Sequence, residues 1–209
     1  MEVALIRHAI PIRKELVSGV ADPELSVDGL AQALLLADYL SKESFDALYA
    51  SPMKRAQQTA EPVSRALNLP LNTIDGVAEY DRNSSEYVPV EELKATNDPR
   101  WQQMVNGEWT GFEETEEEFS RGVVGTIESL IERHESQRIA IVCHGGVINA
   151  YVSHCLGLPN NRGFFYPNYT SIHRIAAARS GERSIVTLNE TSHLRLSGLP
   201  IGLFQKSLS

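Results

Sequence analysis

Hydrophobic positions along this chain fall into two kinds of pattern that alternate. The first is a short unbroken apolar run. Val3 to Ile6 is one, closed by Arg7-His8; Arg138 to Cys143 (RIAIVC) is another, closed by His144; Phe45 to Ala50 (FDALYA) is a third, closed by Ser51-Pro52. Runs of this length predict strands buried on both faces, as in a parallel sheet. The second is helical spacing. Val27, Leu30, Ala33, Leu34, Ala37 and Leu40 predict a helix from Val27 to about Lys42, with Ser26 as N-cap and Asp28 in its first turn. Met53, Ala56, Ala60, Val63 and Leu67 predict a second, with Ser51 as N-cap, Pro52 at the first helical position and Pro62 kinking or ending it. Thr115 and Glu118 form a capping-box pattern ahead of Phe119, Val123, Ile127, Leu130, Ile131 and His134, with Gly122 and Gly125 weakening the helix. Val147, Ile148, Tyr151, Val152 and Cys155 predict a fourth helix, stopped by Gly157 and Pro159. Leu71 to Ile74 reads as a short strand. Ile172 to Ala178 and Ser184 to Leu188 read as a hairpin around Ser180-Gly181.

Strands alternating with helices predict an α/β protein, a three-layer α/β/α arrangement with a mostly parallel central sheet. Residues 1–209 are expected to form a single domain. Ile10 to Leu25 reads as a polar loop. Residues 76–111 are polar and irregular, carry Pro89, Pro99, Trp101 and Trp109, and hold short helices near Val90 to Ala95 and Pro99 to Val105; they predict a small cap insertion. Residues 189–209 read as a loosely structured C-terminal tail.

Charge narrows the function classes. The net charge of −8 argues against nucleic acid or an anionic membrane surface as partner, because both need an excess of Lys and Arg. Attraction for an anionic substrate must then be local, from a few arginines in a cleft. Two cysteines, Cys143 and Cys155, are too few for a disulfide framework. Reduced thiols, with no signal-peptide pattern and no run long enough to span a membrane, predict a cytoplasmic protein. Its oligomeric state is open, a homodimer being one option.

The chemistry gathers where strands end, the edge at which open α/β sheets bind ligands. One strand delivers Arg7 and His8, a second runs into a helix with Arg55 in its first turn, and a third delivers His144 before Gly145-Gly146. Guanidinium forks match phosphate oxygens, and free N–H groups at strand-to-helix turns suit anions, so this set predicts a phosphate pocket. A neutral imidazole is a competent phosphoryl acceptor near pH 7, and two arginines with a second histidine supply the charge stabilisation without a metal. An acid for the leaving oxygen is still required. Glu79, Asp81 and Glu86 are the candidates, and Arg13, Lys14, Arg82 and Tyr87 are candidate substrate contacts from loops. Cys143 reads as core packing, since the arginine a cysteine phosphatase needs six residues on is Asn149. His154, His173 and His193 read as structural. Metal-site spacings such as His-x-His are missing, and no cofactor is expected.

Arg7-His8, the stretch Ser51 to Ala60 (SPMKRAQQTA), Cys143-His144-Gly145-Gly146, and Leu25 to Ala33 (LSVDGLAQA) resemble, in the same order, the histidine phosphatase superfamily with its phosphoglycerate-mutase-like fold. The resemblance implies that His8 is the phosphorylated nucleophile, that Arg7, Arg55 and His144 hold the phosphoryl group, and that Glu79, in Val77-Ala78-Glu79, is the proton donor. It implies a phosphatase acting on a small phosphorylated substrate. A mutase-type phosphotransferase and a phosphohistidine-protein phosphatase are the alternatives within the fold, and a non-catalytic phosphate-binding module the alternative outside it. Two departures stand out. Ala9-Ile10 replaces the Gly and Glu or Gln that commonly follow the nucleophile, and Tyr80 to Ser84 replaces the Gly- and Trp-bearing pattern after the acid.

Overall fold

The three apolar runs become three adjacent parallel strands. The computed structural model describes residues 1–106, 114–158 and 164–203. Strands β1 (Glu2–Arg7), β2 (Lys14–Glu15), β3 (Ala47–Ala50), β4 (Leu71–Thr73), β5 (Glu86–Tyr87), β6 (Arg138–Cys143), β7 (Ile172–Ala177) and β8 (Arg183–Glu190) alternate with helices α1 (Val27–Leu40), α2 (Lys54–Leu67), α3 (Val90–Ala95), α4 (Pro99–Val105), α5 (Glu116–Arg133) and α6 (Gly145–Leu156). The six-stranded sheet has the order β4-β3-β6-β1-β7-β8. The first four of these strands are parallel, and β7 and β8 close one side antiparallel.

Alternation within β1 explains why its run is apolar throughout. Val3 and Leu5 pack with Ile139 and Ile141 against Ile127 and Leu130 of α5 and Val147 and Tyr151 of α6. Ala4 and Ile6 turn the other way, with Ala140 and Val142, onto Leu36 and Leu40 of α1 and Ala56, Ala60 and Val63 of α2. Each face of the sheet thus has its own helix layer.

Register places the strand ends side by side. Arg7 pairs with Cys143 and Ala50 with Val142. The residues just past these ends continue the ladder: His8 N–H donates to the Cys143 carbonyl (2.9 Å) and Ser51 N–H to the Val142 carbonyl (3.0 Å). His8, Ser51 and His144 therefore leave the sheet along one line.

Several expectations need correction. Helix α2 begins at Lys54, not at Pro52; Asp22 accepts the Lys54 N–H (3.0 Å), and Ser51 is engaged elsewhere. Pro62 neither ends nor splits α2, which runs on to Leu67. In α1, Val27, Leu30 and Leu34 face outward, 84%, 49% and 62% exposed, while Gln32 and Leu36 face inward. Gln32 is buried because its Oε1 accepts the Ile10 N–H (2.9 Å) and its Nε2 donates to the Pro200 carbonyl (2.5 Å). Part of the loop from Ile10 to Leu25 is strand β2, paired with β5. Asn189 and Glu190 belong to β8 rather than to a loose tail. Beyond them Leu194 is buried and His193 Nε2 lies 2.8 Å from Thr170 Oγ1. Trp109, Gly111, Glu113, Pro159 and residues 204–209 lie outside the described residues. No described helix is long and apolar enough to cross a membrane.

One close approach fixes the segment that carries Glu79. The 3₁₀ turn Asp75–Val77 lies on α5, where a Cβ on Gly76 would stand 2.0 Å from Thr126 Oγ1. Gly76→Ala is expected to destabilise the protein by about 1–3 kcal/mol through overpacking. Urea unfolding monitored by circular dichroism measures this; an unchanged midpoint would show that Thr126 gives way at no cost.

Candidate active site

Arg7, His8, Arg55, Glu79, Asp81 and Glu86 all line one cavity of about 1330 Å³ above the carboxyl edge of the sheet. His144 is fully buried beside His8, with ring centroids 5.1 Å apart. Arg13 and Lys14 are absent from the lining; Arg13 is paired on the surface with Glu15 (2.7 Å).

Proton bookkeeping fixes the tautomers. His8 Nδ1 lies 2.7 Å from the Ala9 carbonyl, which can only accept, so Nδ1 carries the proton and Nε2 holds a free lone pair. Burial, then the charges of Arg55 and Arg7, hold the His8 pKa well below the usual histidine value. His144 is depressed in the same way by burial, Arg55, His8 and Arg7. Its Nε2 sits 2.7 Å from Ser51 Oγ, and that hydroxyl also accepts the Met53 N–H (3.3 Å). The arrangement that leaves the Ser51 proton with an acceptor has it donated to Nε2, so His144 presents Nδ1–H.

The loop after His8 is pinned at successive N–H groups, Ala9 to Thr59 Oγ1 (2.9 Å) and Ile10 to Gln32. The arginines are held from behind. Arg7 Nη1 donates to the Pro167 carbonyl (2.6 Å), and its guanidinium lies 4.1 Å from the Tyr169 ring centre and 5.0 Å from that of Tyr166. Arg55 donates through Nη2 to Asp81 (2.8 Å) and lies 4.7 Å from the Tyr87 ring centre. Among the described residues, Arg7 Nε, Arg55 Nε and Nη1 and His144 Nδ1 are buried with no hydrogen-bond partner. Four unpaired buried nitrogens around the His8 imidazole form a cradle for an oxyanion, since such groups are costly to leave unpaired.

Glu79 is buried across the cavity. Its Oε2 accepts from Gly146 N–H (2.8 Å) at the start of α6, and its Oε1 from Tyr80 N–H (3.2 Å). Burial and the Asp81 charge raise its pKa to about 7, against the opposing pull of Gly146 N–H and Arg55. The other acid candidates are occupied: Asp81 pairs with Arg55, and Glu86 with Arg100 (2.8 Å). Cys143 is wholly buried, and burial pushes its thiol far up.

Sequence reasoning missed four contributors. Ser51 was explained as a helix cap, while its actual role is to orient His144. Tyr166 and Tyr169 stand outside every predicted element. Glu91, on α3, accepts from both of their hydroxyls, at 3.0 Å from Tyr169. Beside them Thr170 has φ of 53°, unusual for a β-branched residue. Its hydroxyl donates to the Tyr169 carbonyl (2.8 Å), and His193 Nε2 lies 2.8 Å from Thr170 Oγ1. No local sequence signal marks such a turn.

The family model of the histidine phosphatase superfamily (branch 1) matches residues 3–191. The chain belongs to the histidine phosphatase superfamily. It is 30% identical over 202 residues to phosphoserine phosphatase 1 of Hydrogenobacter thermophilus, covering 93% of this chain and 94% of that one. Among solved structures, a phosphoserine phosphatase of Entamoeba histolytica in complex with 3-phosphoglyceric acid shares the fold, with a TM-score of 0.72, 24% identity, and coverage of 92% and 98%. A putative alpha-ribazole-5'-P phosphatase of Escherichia coli aligns with a TM-score of 0.71, 26% identity, and coverage of 91% and 97%. As a histidine phosphatase, the chain is a phosphomonoesterase.

The depressed histidine pKa values give a direct expectation. In 15N–1H correlation spectra at pH 6, His8 and His144 should both be neutral, each as the Nδ1–H tautomer. Imidazolium signals for either residue at that pH would contradict the assignment.

Proposed function

We propose that this protein hydrolyses monoesters of small phosphorylated substrates in two steps through a phosphohistidine on His8, without a metal ion. The observation that carries the reading is the set of unpaired donors on Arg7, Arg55 and His144 around a bare His8 Nε2, with a protonatable Glu79 in the same cavity. In the first step the Nε2 lone pair attacks phosphorus. The bond from phosphorus to the ester oxygen breaks, its electron pair stays on that oxygen, and the Glu79 proton joins it to release the alcohol. In the second step Glu79, now a carboxylate, takes a proton from water as the water oxygen attacks phosphorus. The P–N bond breaks, its pair returns to Nε2, and orthophosphate leaves. Arg7, Arg55 and His144 hold the three peripheral oxygens through both displacements, where charge stabilisation and positioning matter most. The two free cysteines are compatible with a reducing compartment, and we place the protein in the cytoplasm.

Acid-labile, base-stable label from a phosphorylated substrate should appear on the protein in EDTA and vanish in His8→Ala. Activity lost in EDTA and restored by a divalent ion would overturn the metal-free scheme. Label passed to an added alcohol rather than to water would mark a phosphotransferase, and binding without label or turnover a non-catalytic module.

Because Glu79 must enter the first step protonated, kcat/KM for an alkyl phosphate should fall as pH rises through about 7. In Glu79→Gln that limb should disappear, with a loss on the order of 10²–10⁴-fold. An aryl phosphate, whose leaving group needs little protonation, should lose far less. Equal losses on both esters would remove Glu79 from the acid role.

A further inference from the structure

Beyond the phosphoryl cradle the cavity continues beneath the cap, and this half must hold the alcohol portion of the substrate. Among the described residues, the arginines that line it, Arg82 and Arg100, already have carboxylate partners. Both terminal nitrogens of Arg82 donate to the Asp75 carboxylate, at 2.9 and 2.6 Å. Arg100 donates from Nε and Nη2 to Asp98 (3.0 and 2.8 Å) and from Nη1 to Glu86 (2.8 Å), with Glu15 at 3.4 Å. Arg100 in turn holds the Asp98 carboxyl down at about 2, so that partner stays charged. The acidic side chains facing this space, Asp75, Glu86 and Glu114, leave it neutral to negative among the described residues. Beside the polar Ser84 and Ser85, the wall carries a run of apolar and aromatic side chains: Leu93, Trp101, Met104 and Phe165.

Such a surface discriminates. An aromatic or aliphatic group gains by leaving water against Trp101 and Met104. A carboxylate there would lose its hydration and meet guanidinium groups that already have partners, beside three carboxylates.

We propose that the cap selects phosphate monoesters whose alcohol portion is uncharged and hydrophobic, and rejects those whose alcohol carries a carboxylate, with Trp101 and Met104 as the specificity-determining residues. This rests on the reading of the same cavity as a phosphomonoesterase site. It separates the chain from relatives whose names or bound ligands are phosphoserine and 3-phosphoglycerate.

The test compares kcat/KM at pH 6 for 2-phenylethyl phosphate, O-phosphoserine and 3-phosphoglycerate. All three alcohols are alkyl, so leaving-group chemistry does not favour the phenylethyl ester. That ester should be preferred by about tenfold or more, the range expected for one well-buried apolar group. Trp101→Ala should lower kcat/KM for it about tenfold while leaving the two acids within about twofold. Met104→Arg, which adds an uncommitted cation, should raise 3-phosphoglycerate turnover by about fivefold or more and lower that of the phenylethyl ester. A wild-type preference for either carboxylate-bearing ester, or equal losses on all three in Trp101→Ala, would overturn the specificity and leave the phosphatase standing. No turnover of any ester together with no label on His8 would overturn both.

Discussion

Two buried guanidinium groups constrain everything around them. Arg7 is 6% exposed and Arg55 1%, and among the described residues one carboxylate, that of Asp81, bonds directly to this pair. A buried cation left so lightly compensated is expensive unless something else faces it. The Pro167 carbonyl and the faces of Tyr87, Tyr166 and Tyr169 supply part of the compensation. The remainder is what the proposed phosphoryl group would supply, at the unpaired nitrogens of Arg7 and Arg55. Burial, and after it this positive field, holds the pKa of His8 and His144 down, so in the proposed reaction the charge that attracts a phosphoryl group also disfavours protonation of its acceptor.

The sheet makes this cluster affordable by placing its parts with short, stiff connections. β1, β3 and β6 are parallel and adjacent, so their ends bring His8, Ser51 and His144 to one edge with no loop flexibility to overcome. The antiparallel β7 begins at that edge too: Arg7 N–H donates to the Ser171 carbonyl (3.1 Å), and Thr170 N–H lies 3.4 Å from the His8 carbonyl. The turn before β7 can therefore set Tyr169 against Arg7. Glu91 joins Tyr169 and Tyr166 to α3, so α3 is tied by side chains to the rings that flank Arg7.

What was legible in the sequence was whatever periodicity or strand ends encode. The buried strands, the Thr115–Glu118 capping box, and the Arg7, His8, Arg55 and His144 set all belong to segments whose local pattern and tertiary role agree. What was hidden depends on partners distant in sequence. Ser51 looks like a helix cap from its neighbours alone, and only the register of β3 against β6 turns it toward His144. Gln32 looks like a surface residue of α1, yet it is buried because it bonds the backbone at Ile10 and Pro200. Val27, Leu30 and Leu34 look inward-facing by spacing, but the inward arc of α1 is rotated toward Gly29, Gln32 and Leu36. A helix places a polar residue inside when long-range hydrogen bonds satisfy it, and spacing carries no record of those bonds.

The proposed scheme asks Glu79 to serve as both acid and base in one site. Burial and the nearby Asp81 favour the protonated form, while Gly146 N–H at the start of α6 and the charge of Arg55 favour the carboxylate. Burial and Asp81 outweigh the opposing pull and raise the pKa to about 7, the value that suits the proposed exchange, in which the group gives a proton and then takes one back. The contact requires glycine. A Cβ at position 146 would stand 2.3 Å from Glu79 Oε1 and 2.7 Å from the Tyr80 ring, so any larger residue would push the carboxyl away. The Gly-Gly after His144 is therefore tied to chemistry as well as to the strand-to-helix turn. The second glycine leaves room for the Glu79 carboxyl, and in the proposed scheme its N–H stabilises the carboxylate formed once the proton has gone.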